Sequence, residues 1–81
     1  MLIVPPETLL PIHLLQTGES ADVADLSGEP TWVSRLAELG LRVGARLRML
    51  QQGSPCLVQV DGSRLSLRGD CVQILVRPVL S

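Results

Sequence analysis

A glycine between two leucines, Leu39-Gly40-Leu41, is the feature that most restricts how this chain can fold. Before it, Val33, Leu36 and Ala37 recur at positions i, i+3 and i+4, which predicts a helix from about Pro30 to Leu39 with one apolar side. Gly40 can adopt the positive φ that a helix end requires, and Leu41 can then fold back onto Leu36 in a Schellman motif. The helix is therefore expected to end abruptly at this glycine.

A strand is predicted shortly after this helix end. Val43-Gly44 indicates a second turn, and from Ala45 to Gln51 apolar residues alternate with Arg46 and Arg48 at the period of a half-buried strand. Further along, Asp61-Gly62 is typical of a type I′ hairpin turn, because both central residues of that turn need positive φ. The pattern therefore predicts a helix that packs on a sheet of short strands.

Five short strands and one helix make up the predicted fold. The strands are expected at about residues 20–27, 45–51, 56–60, 63–67 and 72–77. The first should contain a bulge, because Leu26 is out of phase with Ala21 and Val23 and must return to the core. Residues 68–71 leave room for one helical turn only. We therefore predict a mainly β fold, a small SH3-like five-stranded barrel with one short α-helix between strands one and two.

The apolar beginning of the chain, MLIVPPETLLPIHLL, is interrupted by prolines and Glu7 and is too short to span a bilayer. It also lacks the leading Lys or Arg of a signal peptide. We interpret residues 1–11 as an N-terminal extension and residues 12–81 as the domain, with Ile12, Leu14 and Leu15 tucked under the sheet as a short turn. A cytoplasmic protein without direct membrane insertion is expected.

Charge is divided unevenly along the chain. Residues 1–34 carry five acidic residues and no Arg, whereas residues 35–81 carry seven Arg and three acidic residues, which gives −5 and +4. The chain has no Lys, and its one aromatic residue, Trp32, offers no stacking platform for bases, so a nucleic-acid partner is not expected. We expect the two halves to neutralise each other across the fold.

The two cysteines, Cys56 and Cys71, match no metal-binding spacing, and nothing indicates secretion, so reduced buried thiols are expected. Together with His13 they would offer ligands suited to Zn²⁺ or Fe²⁺, but Cys56 alternates with Val58 and Val60 and packing explains it. We predict no metal site and no cofactor. His13 has no nucleophile near it in the sequence and no Gly-rich phosphate loop is present, so the chain is not expected to be an enzyme.

The corner around Gly40 is the predicted recognition surface. Two leucines on either side of a glycine turn cannot both point fully inward, so some apolar surface should remain beside the arginines. The alternative left open is that both leucines are core and that Trp32 lies half-buried along the barrel wall. The residues predicted to contact a partner are Trp32, Arg35, Leu39, Gly40, Leu41 and Arg42.

This pattern resembles FeoA, the small cytoplasmic protein of the bacterial ferrous iron uptake system, over about residues 12 to 77. The residues that carry the resemblance are Gly18, Ala21, Val23 and Leu26, the run RLAELGLRVG with Leu47 and Met49, then Leu65-Ser66-Leu67-Arg68, Ile74 and Val76. The link QQGSP is shorter than usual for that family, and Gly69 stands where it usually has a helix-forming residue.

The resemblance implies an SH3-like fold and a partner, the FeoB ferrous iron permease with its cytoplasmic GTPase domain. A non-catalytic module that binds and modulates this permease is therefore the leading interpretation, with weak homo-oligomerisation left open. A similar pattern also occurs in the C-terminal domain of iron-dependent repressors. The alternative is therefore a transition-metal-binding or metal-sensing regulatory module. The chain has no predicted helix-turn-helix with which to bind DNA in the way that such repressors do.

Overall fold

A computed structural model describes residues 9–53, 55–68 and 72–79 of the chain. It contains six strands, one α-helix and one 3₁₀ turn over Ile12–Leu14. In chain order the elements are β1 (Leu10–Pro11), β2 (Ser20–Gly28), α1 (Pro30–Glu38), β3 (Arg46–Gln51), β4 (Cys56–Val60), β5 (Ser63–Leu67) and β6 (Val72–Pro78). The helix and the five predicted strands are thus present, with ends that differ from the prediction by no more than about one residue. The helical turn predicted over residues 68–71 lies outside the described residues.

The strands form one antiparallel sheet in the order β1-β6-β2-β3-β4-β5. The sixth strand, β1, was not predicted; it pairs Leu10 with Val76 and Pro11 with Leu75 on β6. Because β1 and β5 lie at opposite ends of this order and no pair among the described residues joins them, the sheet is not closed by hydrogen bonds. The predicted five-stranded barrel is therefore corrected to an open, six-stranded sheet with one helix.

Inward-facing side chains from every long strand meet in one aliphatic core. Alternation along β3 buries Leu47 and Met49, and alternation along β4 buries Cys56, Val58 and Val60, as predicted. The bulge predicted in β2 is confirmed: pairing with β6 shifts register between Val23 and Asp25, and Leu26 packs against the core. The core as a whole comprises Ile12, Leu15, Ala21, Val23, Leu36, Leu41, Leu47, Met49, Cys56, Val58, Val60, Leu65, Leu67, Ile74 and Val76.

The short turn before β2 is only partly as predicted. Ile12 and Leu15 are buried, but Leu14 is 54% exposed, so the expectation that all three tuck under the sheet is wrong. The reason is the period of the 3₁₀ turn, three residues, which puts Leu15 above Ile12 and turns Leu14 toward water. The Gln52 side chain donates a hydrogen bond of 2.8 Å to the Leu15 carbonyl and holds the turn against the sheet.

Among the described residues, no helix is both long enough and apolar enough to cross a lipid bilayer.

Candidate functional site

The helix end at Gly40 has the predicted Schellman geometry. Leu39 is the last residue near helical conformation, and Gly40 follows with a φ of +101°. The Leu41 N–H donates to the Leu36 carbonyl at 2.8 Å, and the Gly40 N–H donates to the Ala37 carbonyl at 3.0 Å. These two bonds satisfy carbonyls that the helix itself leaves without a partner. The chain therefore reverses direction at a fixed point.

A second turn follows at once and fixes this corner to the sheet. The Ala45 N–H donates to the Arg42 carbonyl at 2.9 Å across Val43 and Gly44, and Gly44 has a φ of +93°. The Gly44 N–H donates to the Val23 carbonyl, and the Val23 N–H donates to the Ala45 carbonyl, both at 2.8 Å. The second turn is thus held by the backbone of β2 on one side and continues into β3 on the other.

The hairpin turn between β4 and β5 lies next to the corner at Gly40. Asp61 and Gly62 have φ values of +48° and +81°, which confirms the predicted type I′ turn. A Cβ placed on Gly40 would lie 3.4 Å from the Asp61 Cβ and 3.6 Å from Val60 Cγ1. The corner at Gly40 therefore lies close to this hairpin, with space for a Cβ at ordinary contact distance between them.

The corner leaves large apolar side chains on the surface. Trp32 is 41% exposed, Leu39 is 45% exposed and Val43 is 60% exposed. Trp32 on α1 and Leu39 at its C-cap are seven residues apart, or about two turns, and so lie on one side of the helix. Val43 is exposed in the next turn, four residues after Leu39. The prediction that part of the apolar surface stays exposed beside Gly40 is confirmed.

One predicted contact residue must be corrected. Leu41 is 0% exposed, so its side chain cannot contact a partner. The Schellman fold places it over Leu36, which is also buried, and the apolar contact between these two positions is part of the motif. Leu41 is therefore a core residue, and Leu39 is the one that faces water. Sequence reasoning missed Val43, although position i+1 of a turn with Gly at i+2 commonly points its side chain outward.

Arginines lie within and beside this surface. The Arg35 guanidinium carbon is 5.7 Å from the centroid of the Trp32 ring, within range of a cation–π contact. Arg42 is exposed, and with Val43, Arg46 and Asp61 it lines a shallow depression under the corner. We define the corner patch as Trp32, Arg35, Leu39, Arg42 and Val43. Gly40 positions the patch and contributes little surface of its own.

One ion pair joins the acidic and basic halves of the chain within the described residues. The Arg46 Nε donates to Asp22 Oδ1 at 2.9 Å across β3 and β2. That hydrogen bond lowers the pKa of the Asp22 carboxyl, and Arg77 on the other neighbouring strand adds to the effect. The expected neutralisation of the two halves is thus seen as one ion pair at this place, and the other arginines form none within the described residues.

No group of three or more His, Cys, Asp or Glu side chains that could hold a metal ion is found in the described part of the chain. His13 is exposed, Cys56 is buried and Cys71 lies outside the described residues. His13 and Cys56 do line the same groove, together with Ile12, Leu67 and Ile74, but two ligands of this kind fall short of a zinc site. Burial raises the pKa of the Cys56 thiol, which favours the uncharged form that packs well and binds metal poorly.

Residues 10–78 match the family model for the FeoA domain. The solution structure of FeoA protein from Chlorobium tepidum is 31% identical and superposes with a TM-score of 0.81, covering 88% of this chain and 71% of that one. A crystal structure of an iron uptake regulatory protein, FeoA, is 23% identical with a TM-score of 0.78, covering 89% of this chain and 100% of that one.

A manganese-dependent transcriptional repressor shares the fold at 20% identity, with a TM-score of 0.72 over 90% of this chain and 44% of the repressor. No curated protein matches the chain.

Proposed function

This chain belongs to the FeoA family, which indicates a role in ferrous iron uptake, and from that membership we propose that it is a non-catalytic cytoplasmic accessory protein. In this proposal it binds the cytoplasmic part of a FeoB-type permease through the corner patch and modulates iron transport. The observation that carries the proposal is the corner patch itself, with three large apolar side chains exposed between 41% and 60%.

The composition of the corner patch is that of a protein interface. Tryptophan and arginine are enriched among the residues that dominate binding energy, and apolar patches rimmed by polar groups commonly mark contact sites. Arg35 lies over the Trp32 ring at 5.7 Å, so both side chains have less freedom to lose when a partner covers them. Arg42 adds positive charge at the edge, which favours an acidic partner surface and faster association.

The rigid support beneath the patch strengthens this proposal. Two turns with positive-φ glycines and backbone bonds to β2 fix the corner. A surface whose backbone is held in this way has a smaller ordering cost to meet on binding. Enzyme chemistry is not part of the proposal, because His13 is exposed and the Cys56 thiol in the same groove is buried with its pKa raised, which favours the uncharged, less nucleophilic form.

A metal-sensing regulatory module remains the second candidate, favoured by the fold shared with the manganese-dependent repressor. That similarity shows only a shared fold, and the chain covers less than half of the repressor's length. The two candidates differ in a simple measurement. Dialysed protein that retains stoichiometric zinc, iron or manganese would favour the second, whereas capture of the permease's cytoplasmic part without metal favours the first.

Arg42→Glu tests the docking site. Arg42 is exposed and has no ion pair among the described residues, so reversing its charge should change stability by no more than about 0.5 kcal/mol. We expect calorimetric titration against the purified cytoplasmic part of the permease to show binding weakened about tenfold, with lower iron uptake in cells. Leu39→Ser should weaken binding as well, because it removes apolar contact area without touching the core.

Arg68→Glu is the matched control. Arg68 is exposed and follows β5 at the end far from the Asp61-Gly62 turn, so it makes the same charge change away from the corner. Wild-type affinity is expected for this variant. If Arg42→Glu and Leu39→Ser both bind as wild type does, the corner patch is not the docking site. If the wild-type protein does not bind the permease's cytoplasmic part, the proposed function itself is wrong.

A further inference from the structure

The outward side of β3, β4 and β5 carries a row of arginines that the corner patch does not include. Arg48 on β3 is opposite Gln59 on β4, and Gln59 is opposite Arg64 on β5. Each of these three residues is exposed and lies beside a buried one, so all three face away from the core. Arg46, two residues before Arg48, shares this face. We call Arg46, Arg48 and Arg64 the arginine row.

Little negative charge opposes the arginine row. Asp22 binds Arg46, but the β2 residue opposite Arg48 is Ser20, and neither Arg48 nor Arg64 makes an ion pair within the described residues. Neighbouring strands lie about 4.8 Å apart, so the backbones of Arg48 and Arg64 are separated by about 10 Å. Two carboxylates lie near the Arg46 end of the row: Asp22, which binds Arg46, and Asp61, which lines the same depression as Arg46. The Arg48 and Arg64 end of the row therefore carries the positive charge that is left without an ion pair in the described part of the chain.

Chemistry of the row points to phosphate groups. The guanidinium is a planar fork that matches phosphate oxygens, and the row contains polar neighbours, Ser20 and Gln59, in place of apolar anchors. A protein interface normally has an exposed apolar centre, whereas the apolar residues next along these strands, Leu50 and Leu57, are half-buried. Single-stranded nucleic acid is normally gripped by stacking on aromatic rings, and the one aromatic residue, Trp32, belongs to the corner patch.

We propose that the arginine row binds anionic lipid headgroups of the inner membrane surface. The setting rests on the proposed function, since an accessory protein docked on a permease lies next to the negatively charged leaflet. The negative surface potential of such a membrane stabilises each basic residue held close to it by about 1 kcal/mol. This energy corresponds to about a fivefold increase in the binding constant. The row would therefore strengthen docking on the permease by orienting and concentrating the protein at the membrane.

Vesicle sedimentation tests the proposal without the permease. The wild-type protein is expected to sediment with vesicles of phosphatidylcholine and phosphatidylglycerol at low salt, but not with phosphatidylcholine alone, and to be released at high salt. Arg48→Gln with Arg64→Gln should weaken binding by about 25-fold, the product of two fivefold losses. The double substitution to Lys keeps both charges and should keep most of the binding.

Arg64→Gln and Arg68→Gln are compared as matched single variants, because Arg68 carries the same charge just beyond the other end of β5, where it lines the groove with Pro11 and His13. Arg64→Gln should weaken binding about fivefold, whereas Arg68→Gln should bind vesicles as wild type does. Thermal melting confirms that each variant folds. Failure of the wild-type protein to bind anionic vesicles, or equal binding by the double Gln variant, overturns the proposal. So does tighter, row-dependent binding to a single-stranded oligonucleotide than to vesicles. Because no permease is present, these results are independent of the test of the proposed function.

Discussion

Gly40→Ala is the substitution whose cost follows most directly from the structure. The residue has a φ of +101°, a conformation that L side chains rarely adopt, and forcing Ala into it costs about 1 to 2 kcal/mol. The new Cβ would lie 3.4 Å from the Asp61 Cβ and 3.6 Å from Val60 Cγ1, which are ordinary contact distances. Backbone strain, rather than collision, should therefore account for most of the loss.

The expected result is a measurable fall in thermal stability. For a domain of this size 1 kcal/mol shifts Tm by about 4 to 8 °C, so Gly40→Ala should lower Tm by about 4 to 16 °C. Gly40→Val should lower it at least as much, because a β-branched residue is even less compatible with positive φ than Ala. Thermal unfolding followed by circular dichroism measures both changes.

Two further substitutions separate strain from contact. Gly44→Ala meets the same kind of strain at a φ of +93°, but nothing lies within 4 Å of the new Cβ, so its cost should be equal or slightly smaller. Gly40→Asn should be milder than Gly40→Ala, since Asn tolerates positive φ better. An unchanged Tm for Gly40→Ala, or a larger loss for Asn than for Ala, would refute the reasoning.

Two other predictions concern single side chains. Because Arg46 lowers the pKa of Asp22 in the folded protein, the pair stabilises the fold above the unfolded carboxyl pKa of about 3.9 and the effect is lost as pH falls through the folded value. The pair is partly exposed, so Asp22→Asn should lower the free energy of unfolding by no more than about 1 kcal/mol at neutral pH. It should also make the free energy of unfolding in urea depend less on pH below about pH 4. An unchanged acid profile would contradict this. Cys56 is buried and uncharged, so it should react slowly with thiol reagents, and Cys56→Ala should lower stability by about 1 kcal/mol while leaving iron uptake intact. Rapid labelling in the folded state, or metal that survives dialysis and is lost in Cys56→Ala, would show that the thiol has a ligand role.

The corner patch and the arginine row meet beneath the second turn. Arg46 belongs to the row and also lines the depression that contains Arg42 and Val43. A permease docked on the corner and a membrane beneath the row would thus contact neighbouring parts of one surface. The two variants, Arg42→Glu and the double Gln variant, are expected to separate these contacts, since each leaves the other set of side chains intact.

Features set by local geometry were predictable from the sequence by itself. The turns at Gly40 and at Asp61-Gly62 need residues that tolerate positive φ. This local requirement predicts the helix end and the hairpin without any knowledge of the tertiary contacts. The two-residue period of β3 and β4 determined which side chains face the core, and the phase error at Leu26 determined the bulge. The resemblance to FeoA was also visible in these positions, and the family match over residues 10–78 confirms it.

Features that depend on contacts between distant segments were decided by the tertiary structure. Pairing of β1 with β6 and the unpaired ends of the sheet follow from strand order, which no local pattern encodes. The sequence indicated that some apolar surface would stay exposed beside Gly40 but left open that Leu39 and Leu41 are both core. Only the packing of Leu41 over Leu36 decided that Leu41 is buried and Leu39 faces water. The arginine row likewise exists only in the register of β3, β4 and β5, because Arg48 and Arg64 are 16 positions apart in the chain and two strands apart in the sheet.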